Sequence, residues 1–122
     1  MSVSATTVDL RTDGWTAVCA LDRIVPDTGV TALVDGVQVA VFVLADGSVH
    51  AIDAHDPCSG ANVLGRGIVG DVGGVDVVAS PVHKQRFELA TGRCLDADVA
   101  VAVHEVRVVD GLVELRIATG GG

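Results

Sequence analysis

The chain has 122 residues, a length that suits one domain with one packed core. Hydrophobic residues make up 49%, so a packed interior rather than disorder is the expected reading, and only Trp15, Phe42 and Phe87 are aromatic, too few for a base-stacking platform. Sixteen acidic residues against eight basic give a net charge of −8, which excludes a nucleic-acid binder, since displacing counterions from phosphates needs a basic surface.

Valine, with 25 copies, dominates the apolar residues and favours strands. Residues 1–13 are polar and without period, so they are expected to form a flexible lead-in. They contain no apolar h-region, which predicts a cytoplasmic chain with reduced thiols and no secretory signal. Residues 15–20 read as a strand and 21–24 as a turn. Asp-Gly, a strong hairpin signal, stands at 13–14, 35–36, 46–47 and 110–111. It predicts strands 30–34 and 37–44, then 48–52. The longest apolar run, 39–45, is far below the ~20 residues of a membrane helix, so no membrane partner is expected.

Residues 53–66 hold Pro, Gly, Ser and Asn without period and read as a loop. Gly70-x-x-Gly73-Gly74 reads as a turn, 75–79 as a strand, and Ser80-Pro81-Val82-His83 as a second irregular point. A strand over 84–89 follows, closed by Ala90-Thr91-Gly92. The pair 103–109 and 112–117 alternates: Val106 and Val108 oppose Glu105 and Arg107, and Val113, Leu115 and Ile117 oppose Glu114 and Arg116. That pattern predicts a sheet with one wet face. Residues 119–122 are expected to be a flexible tail. No repeat or linker interrupts 14–118, so one all-β domain is expected there.

Three cysteines, with no Cys-x-x-Cys, do not make a disulfide scaffold. Cys19 lies among strand residues and reads as core, and Cys94 as a packed thiol beyond a Gly turn. His50 and His104 lie in strands, partly exposed or hydrogen-bonded, without the partners of a general base. The two irregular loops, carried on a β scaffold, are where a site would sit.

Those loops resemble an iron–sulfur domain of the Rieske type, which carries Cys-x-His in one loop and Cys-x-x-His in a second. Ala51-Ile52-Asp53 leads into Asp56-Pro57-Cys58, then Gly60 and Leu64. Ser80-Pro81-Val82-His83 leads into Phe87-Glu88 and the Thr91-Gly92 turn. On that framework Asp56 and Ser80 stand at the two cysteine positions, Cys58 at the first histidine position, and only His83 where a ligand is expected. The runs Asp56-Pro57-x-Ser59-Gly60-Ala61, Val63-Leu64-x-Arg66-Gly67-Ile68-Val69-Gly70-Asp71, Lys84-Gln85-Arg86-Phe87 and Gly92-x-Cys94-Leu95-Asp96 are similar to the small subunit of the NAD(P)H-dependent assimilatory nitrite reductase. So are Trp15-x-x-Val18-Cys19 and Ile24-Val25-Pro26.

The resemblance implies a Rieske-like antiparallel β sandwich of the ISP type, with two loops at a vestigial cluster site. It implies no catalytic residue and no cofactor in this chain. The partner it implies is the large catalytic subunit, carrying FAD, sirohaem and a [4Fe–4S] cluster and reducing nitrite to ammonium in nitrate assimilation. The alternatives are a Rieske-type ferredoxin-like electron carrier with an atypical or single-metal site at Cys58 and His83, aided by His55 and Asp56, or a stand-alone binding module. Charge adds one expectation. Residues 66–93 hold four basic residues against three acidic, whereas the remainder holds four against thirteen. Arg66, Lys84, Arg86 and Arg93 are therefore the expected docking patch for the large subunit.

Overall fold

Eleven strands run through residues 14–117, the residues described by the computed structural model: β1 (Thr16–Ala20), β2 (Thr28–Val34), β3 (Val37–Val43), β4 (Val49–Asp53), β5 (His55–Asp56), β6 (Ala61–Asn62), β7 (Ile68–Val72), β8 (Val75–Ala79), β9 (Arg86–Glu88), β10 (Val103–Val109) and β11 (Leu112–Arg116). The expected lead-in 1–13 and tail 119–122 lie outside the described residues. Two single-turn 3₁₀ segments, Leu21–Arg23 and Leu64–Arg66, complete the elements.

Short turns set the register. At Asp35-Gly36 and Asp110-Gly111 both residues take left-handed φ angles, 52° and 80° in the first and 51° and 77° in the second. Such a turn matches the right-handed twist of its flanking strands, so β2 pairs β3 and β10 pairs β11 without a loop. The strands form three antiparallel sheets: a six-stranded one in the order β1-β11-β10-β4-β3-β2, a two-stranded β5-β6, and a three-stranded β7-β8-β9.

The central strand β3 explains the long apolar run. Val39, Val41 and Val43 face one core, with Ile24, Ala51, Val113 and Leu115. Ala40 and Phe42 face a second, with Ile52, Leu64, Val78 and Phe87. A strand covered on both faces needs no polar alternation. Between β4 and β10, neighbours in the sheet, the chain leaves to build both small sheets and then returns. The second core cements that excursion to the main sheet.

The wet face is built as the alternation predicts. Glu105 sits opposite Arg116 and Arg107 opposite Glu114, and each pair is ion-paired, the second at 2.7 Å. Both guanidiniums lie over the Trp15 ring, Arg107 at 4.1 Å and Arg116 at 4.9 Å from its centre.

Three expectations need correction. The loop 53–66 contains the β5–β6 pair and the 3₁₀ turn. Residues 68–72, not assigned a strand, form β7, joined to β8 through Gly73-Gly74 with φ of 60° and 90°. The strand expected over 84–89 is only Arg86–Glu88. Lys84 is left-handed, with φ 64°, because its amide turns back to donate to the Ser80 carbonyl at 2.9 Å, so extended backbone starts only afterwards.

Candidate functional site

The first loop begins where β4 ends. Its root is fixed by Asp53, whose Oδ1 lies 2.7 Å from Nε2 of the buried His104 on β10. The β5–β6 pair then makes a tight hairpin, closed by the Gly60 amide donating to the Asp56 carbonyl at 2.7 Å. The second loop turns through residues 80–85, with the Ser80 amide donating to the Gln85 carbonyl at 2.8 Å.

The two loops meet at Asp56 and Ser80, both buried. The Ser80 hydroxyl donates to Asp56 Oδ2 at 2.6 Å, and the Cys58 amide donates to Asp56 Oδ1 at 2.9 Å. The Val82 amide donates to Ser80 Oγ at 3.3 Å. Burial alone would push the Asp56 carboxyl up, but hydrogen bonds from Ser80, Cys58 and Ser59 outweigh it and hold the group below its ordinary value. A short bond to an ionised carboxylate, shielded from water, is among the stronger hydrogen bonds a protein makes. It joins residues 24 apart in sequence, so it acts as a clasp between the loops.

The other candidate residues are arranged differently. The Cys58 thiol is pushed up by burial, with Asp56 and Cys94 adding to the effect, so it is a protonated thiol and not a reactive thiolate. His83 and Lys84 are exposed on the second loop, and Arg66, in the 3₁₀ segment after the first loop, and Arg93, beyond β9, are exposed as well. Arg86 is already engaged: its Nη2 reaches Asp96 Oδ1 at 2.7 Å and its Nε reaches Oδ2 at 3.0 Å. Those bonds lower the Asp96 carboxyl to about 2. Of the four expected docking cations, then, three are exposed without a described acid partner and one is neutralised within the fold. Cys19 and Cys94 are partly buried against the two cores. Among the described residues, no group of three or more His, Cys, Asp or Glu is placed to hold a metal ion.

Sequence reasoning missed Asp96, Asp53 and Ser59. Nothing in the spacing marks Asp96 as the partner of Arg86 or Asp53 as that of His104; only the Asx-type turn at Asp56 has a local signature, an Asp followed by Pro two residues before the amide it caps.

Residues 14–116 match the Rieske-like [2Fe-2S] domain family. The chain is 44% identical over 104 residues to the nitrite reductase (NADH) small subunit of Salmonella typhimurium, which covers 84% of this chain and 96% of that protein. The crystal structure of an NADH-dependent nitrite reductase small subunit from Mycobacterium tuberculosis superposes with a TM-score of 0.82 at 50% identity, covering 86% of this chain and 96% of that one. The chain belongs to the nitrite reductase small-subunit family. A further relative, the nitrite reductase [NAD(P)H] large subunit of Klebsiella oxytoca, is 43% identical over 100 residues, which are 81% of this chain but 10% of that protein. In that organism, the small-subunit fold is one part of a much longer polypeptide. Among the described residues of this family member, no helix is long and apolar enough to cross a membrane.

Proposed function

We propose that this chain is the accessory small subunit of an NADH-dependent nitrite reductase, that it acts by binding the large subunit, and that it holds no iron–sulfur cluster. The observation that carries the reading is the Asp56–Ser80 clasp in a chain that is 44% and 50% identical to nitrite reductase small subunits. A Rieske [2Fe–2S] centre takes two thiolates on one iron and two imidazoles on the other. The two loops offer a carboxylate and a hydroxyl hydrogen-bonded to each other, one thiol, Cys58, and two exposed imidazoles, His55 (whose Nδ1 lies 3.2 Å from Asn62 Oδ1) and His83, so no second thiolate is present for the other sulfur position. Hard oxygen donors that satisfy one another do not replace thiolates, so this donor set does not fit the cluster.

The clasp then does mechanically what a cluster would do by coordination: it holds two loops as one surface. FAD, sirohaem and [4Fe–4S] belong to the large subunit in this reading, and nitrite is reduced there. The relative in which this fold is one tenth of a large-subunit chain supports residence beside that subunit, because fusion keeps a domain at high effective concentration near its neighbours.

The test is co-purification of tagged chain and large subunit, with iron and acid-labile sulfide measured on the small chain alone. A colourless, iron-free chain that retains the large subunit is expected. A brown chain with stoichiometric iron and sulfide overturns the reading in favour of an electron carrier.

A further inference from the structure

The β7–β8 hairpin carries apolar side chains on both faces, with its acids confined to one of them. Val69 and Val78, opposite each other in register, pack into the core. Side chains alternate along a strand, so the pairs Ile68–Ala79, Gly70–Val77 and Val72–Val75 face the other way. On β7 and β8 that face carries no charged and no polar side chain; Val77 on it is buried, and β9 borders it with Glu88 opposite Val77 and Arg86 opposite Ala79, so its exposed apolar part is Ile68, Val72 and Val75. Ile68 is 71% exposed, Val75 40% and Val72 37%. The hairpin's two acids, Asp71 and Asp76, are turned to the opposite side, where with Asp27 and Asp46 they line a cleft of about 350 Å³. Asp27, Asp46 and Asp71 each accept hydrogen bonds from nearby backbone amides there, so that cleft is accounted for by turn capping.

The same molecule shows what a solvent face of its sheets looks like: the ladder of Glu105, Arg116, Arg107 and Glu114 on β10 and β11. An antiparallel sheet ordinarily keeps one such face wet. In a chain of −8, a hairpin whose exposed residues on this face are Ile68, Val72 and Val75, with no acid on either strand there, marks an interface. Strand β7 is also an edge, with no strand paired beyond it among the described residues.

We propose that this face of β7 and β8 is the seat of the large subunit, whose matching surface is apolar with an acidic rim opposite the exposed Arg66. The proposal rests on the function inferred above and names where that contact is made. Two observations choose the occupant. A second copy would bring another −8 charge against the first, which opposes self-association. And a chain named the large subunit carries this fold as one tenth of its length, so the domain is found joined to the very body that would cover it.

The experiment is titration calorimetry of the intact large subunit with the full chain, comparing wild type, Ile68→Asp, Val75→Asp and Leu33→Asp. Leu33 is 70% exposed on β2, the far edge of the main sheet, and serves as the control. Ile68→Asp and Val75→Asp should each weaken binding about tenfold or more, as expected for central apolar contacts, with melting points close to wild type. Leu33→Asp should bind within about twofold of wild type. Hydrogen exchange at the β7 amides of the wild type should slow in the complex, a readout independent of any variant's folding. Wild-type binding that survives both β7–β8 substitutions, or unchanged β7 exchange, overturns this inference and leaves the function standing. A wild type that does not bind overturns both. A homodimer of the isolated chain that Ile68→Asp dissociates assigns the face to a second copy and overturns the proposal.

Discussion

Removing the clasp should cost stability in a way that reveals the coupling between the loops. Ser80→Ala deletes one hydrogen bond to a buried, ionised carboxylate, along with the acceptor of the Val82 amide, and should cost about 2 kcal/mol. Asp56→Ala strands the Ser80 hydroxyl and the Cys58 amide inside the fold, at ~1–3 kcal/mol for each unsatisfied group, or about 3 kcal/mol together. The double variant removes one of those stranded groups with its partner and should cost about 3.5 kcal/mol, leaving a coupling of about 1.5 kcal/mol. For a domain of this size the single changes lower Tm by about 8 °C and about 12 °C. Urea melts of the four proteins measure the cycle. The pH dependence is a second arm. The folded Asp56 carboxyl lies below its unfolded value, so its contribution is present above the ordinary carboxylate range and is lost as pH falls through the folded value. Asp56→Asn should therefore lose less stability than wild type as pH falls below the ordinary carboxylate range. Additive single variants, with coupling under about 0.5 kcal/mol, together with an unchanged acid limb, would refute the clasp.

Three further outcomes follow from particular residues. Gly92→Ala should abolish folding or cost more than about 3 kcal/mol, because a Cβ there would run into the Val101 carbonyl at a left-handed φ of 78°; Gly36→Ala, at φ 80° in open space, should cost only about 1 kcal/mol, and thermal melts compare the two. Arg86→Ala should raise the Asp96 carboxyl from about 2 toward the ordinary carboxylate value, read by NMR titration of the side-chain carbon. Charge reversal at Lys84 together with Arg66 should weaken large-subunit binding at low salt and make little difference at about 0.5 M, where exposed charges are screened.

Much of the scaffold is legible because its signals are local. Asp35-Gly36 and Asp110-Gly111 declare their turns outright, and the alternation in 103–117 declares which face is wet. Strand β7 is not legible in this way: Gly70 and Asp71 interrupt its apolar pattern, and its partner is specified through Gly73-Gly74, whose conformation a glycine pair leaves open. The boundary at Lys84 is hidden for a related reason, since a lysine in left-handed backbone has no compositional mark and is imposed by the Ser80 loop. At the site, resemblance alone placed Asp56 and Ser80 on corresponding loops. Their hydrogen bond, the burial of His104 against Asp53, and the fork between Arg86 and Asp96 are long-range pairings decided by how three sheets pack. The charge count singles out the least acidic part of the chain, but it could not tell that Arg86 is spent on Asp96 or that Asp71 and Asp76 turn away from the apolar face.

The central claim, an accessory subunit that supports nitrite reduction without a cluster of its own, is tested most directly by nitrite-dependent NADH oxidation with the purified large subunit, titrated with this chain after its iron content has been measured. The expected result is activity, or retention of the large subunit's cofactors, that rises with the iron-free chain and saturates at a fixed stoichiometry. Activity, assembly and cofactor content all indifferent to the chain would contradict it.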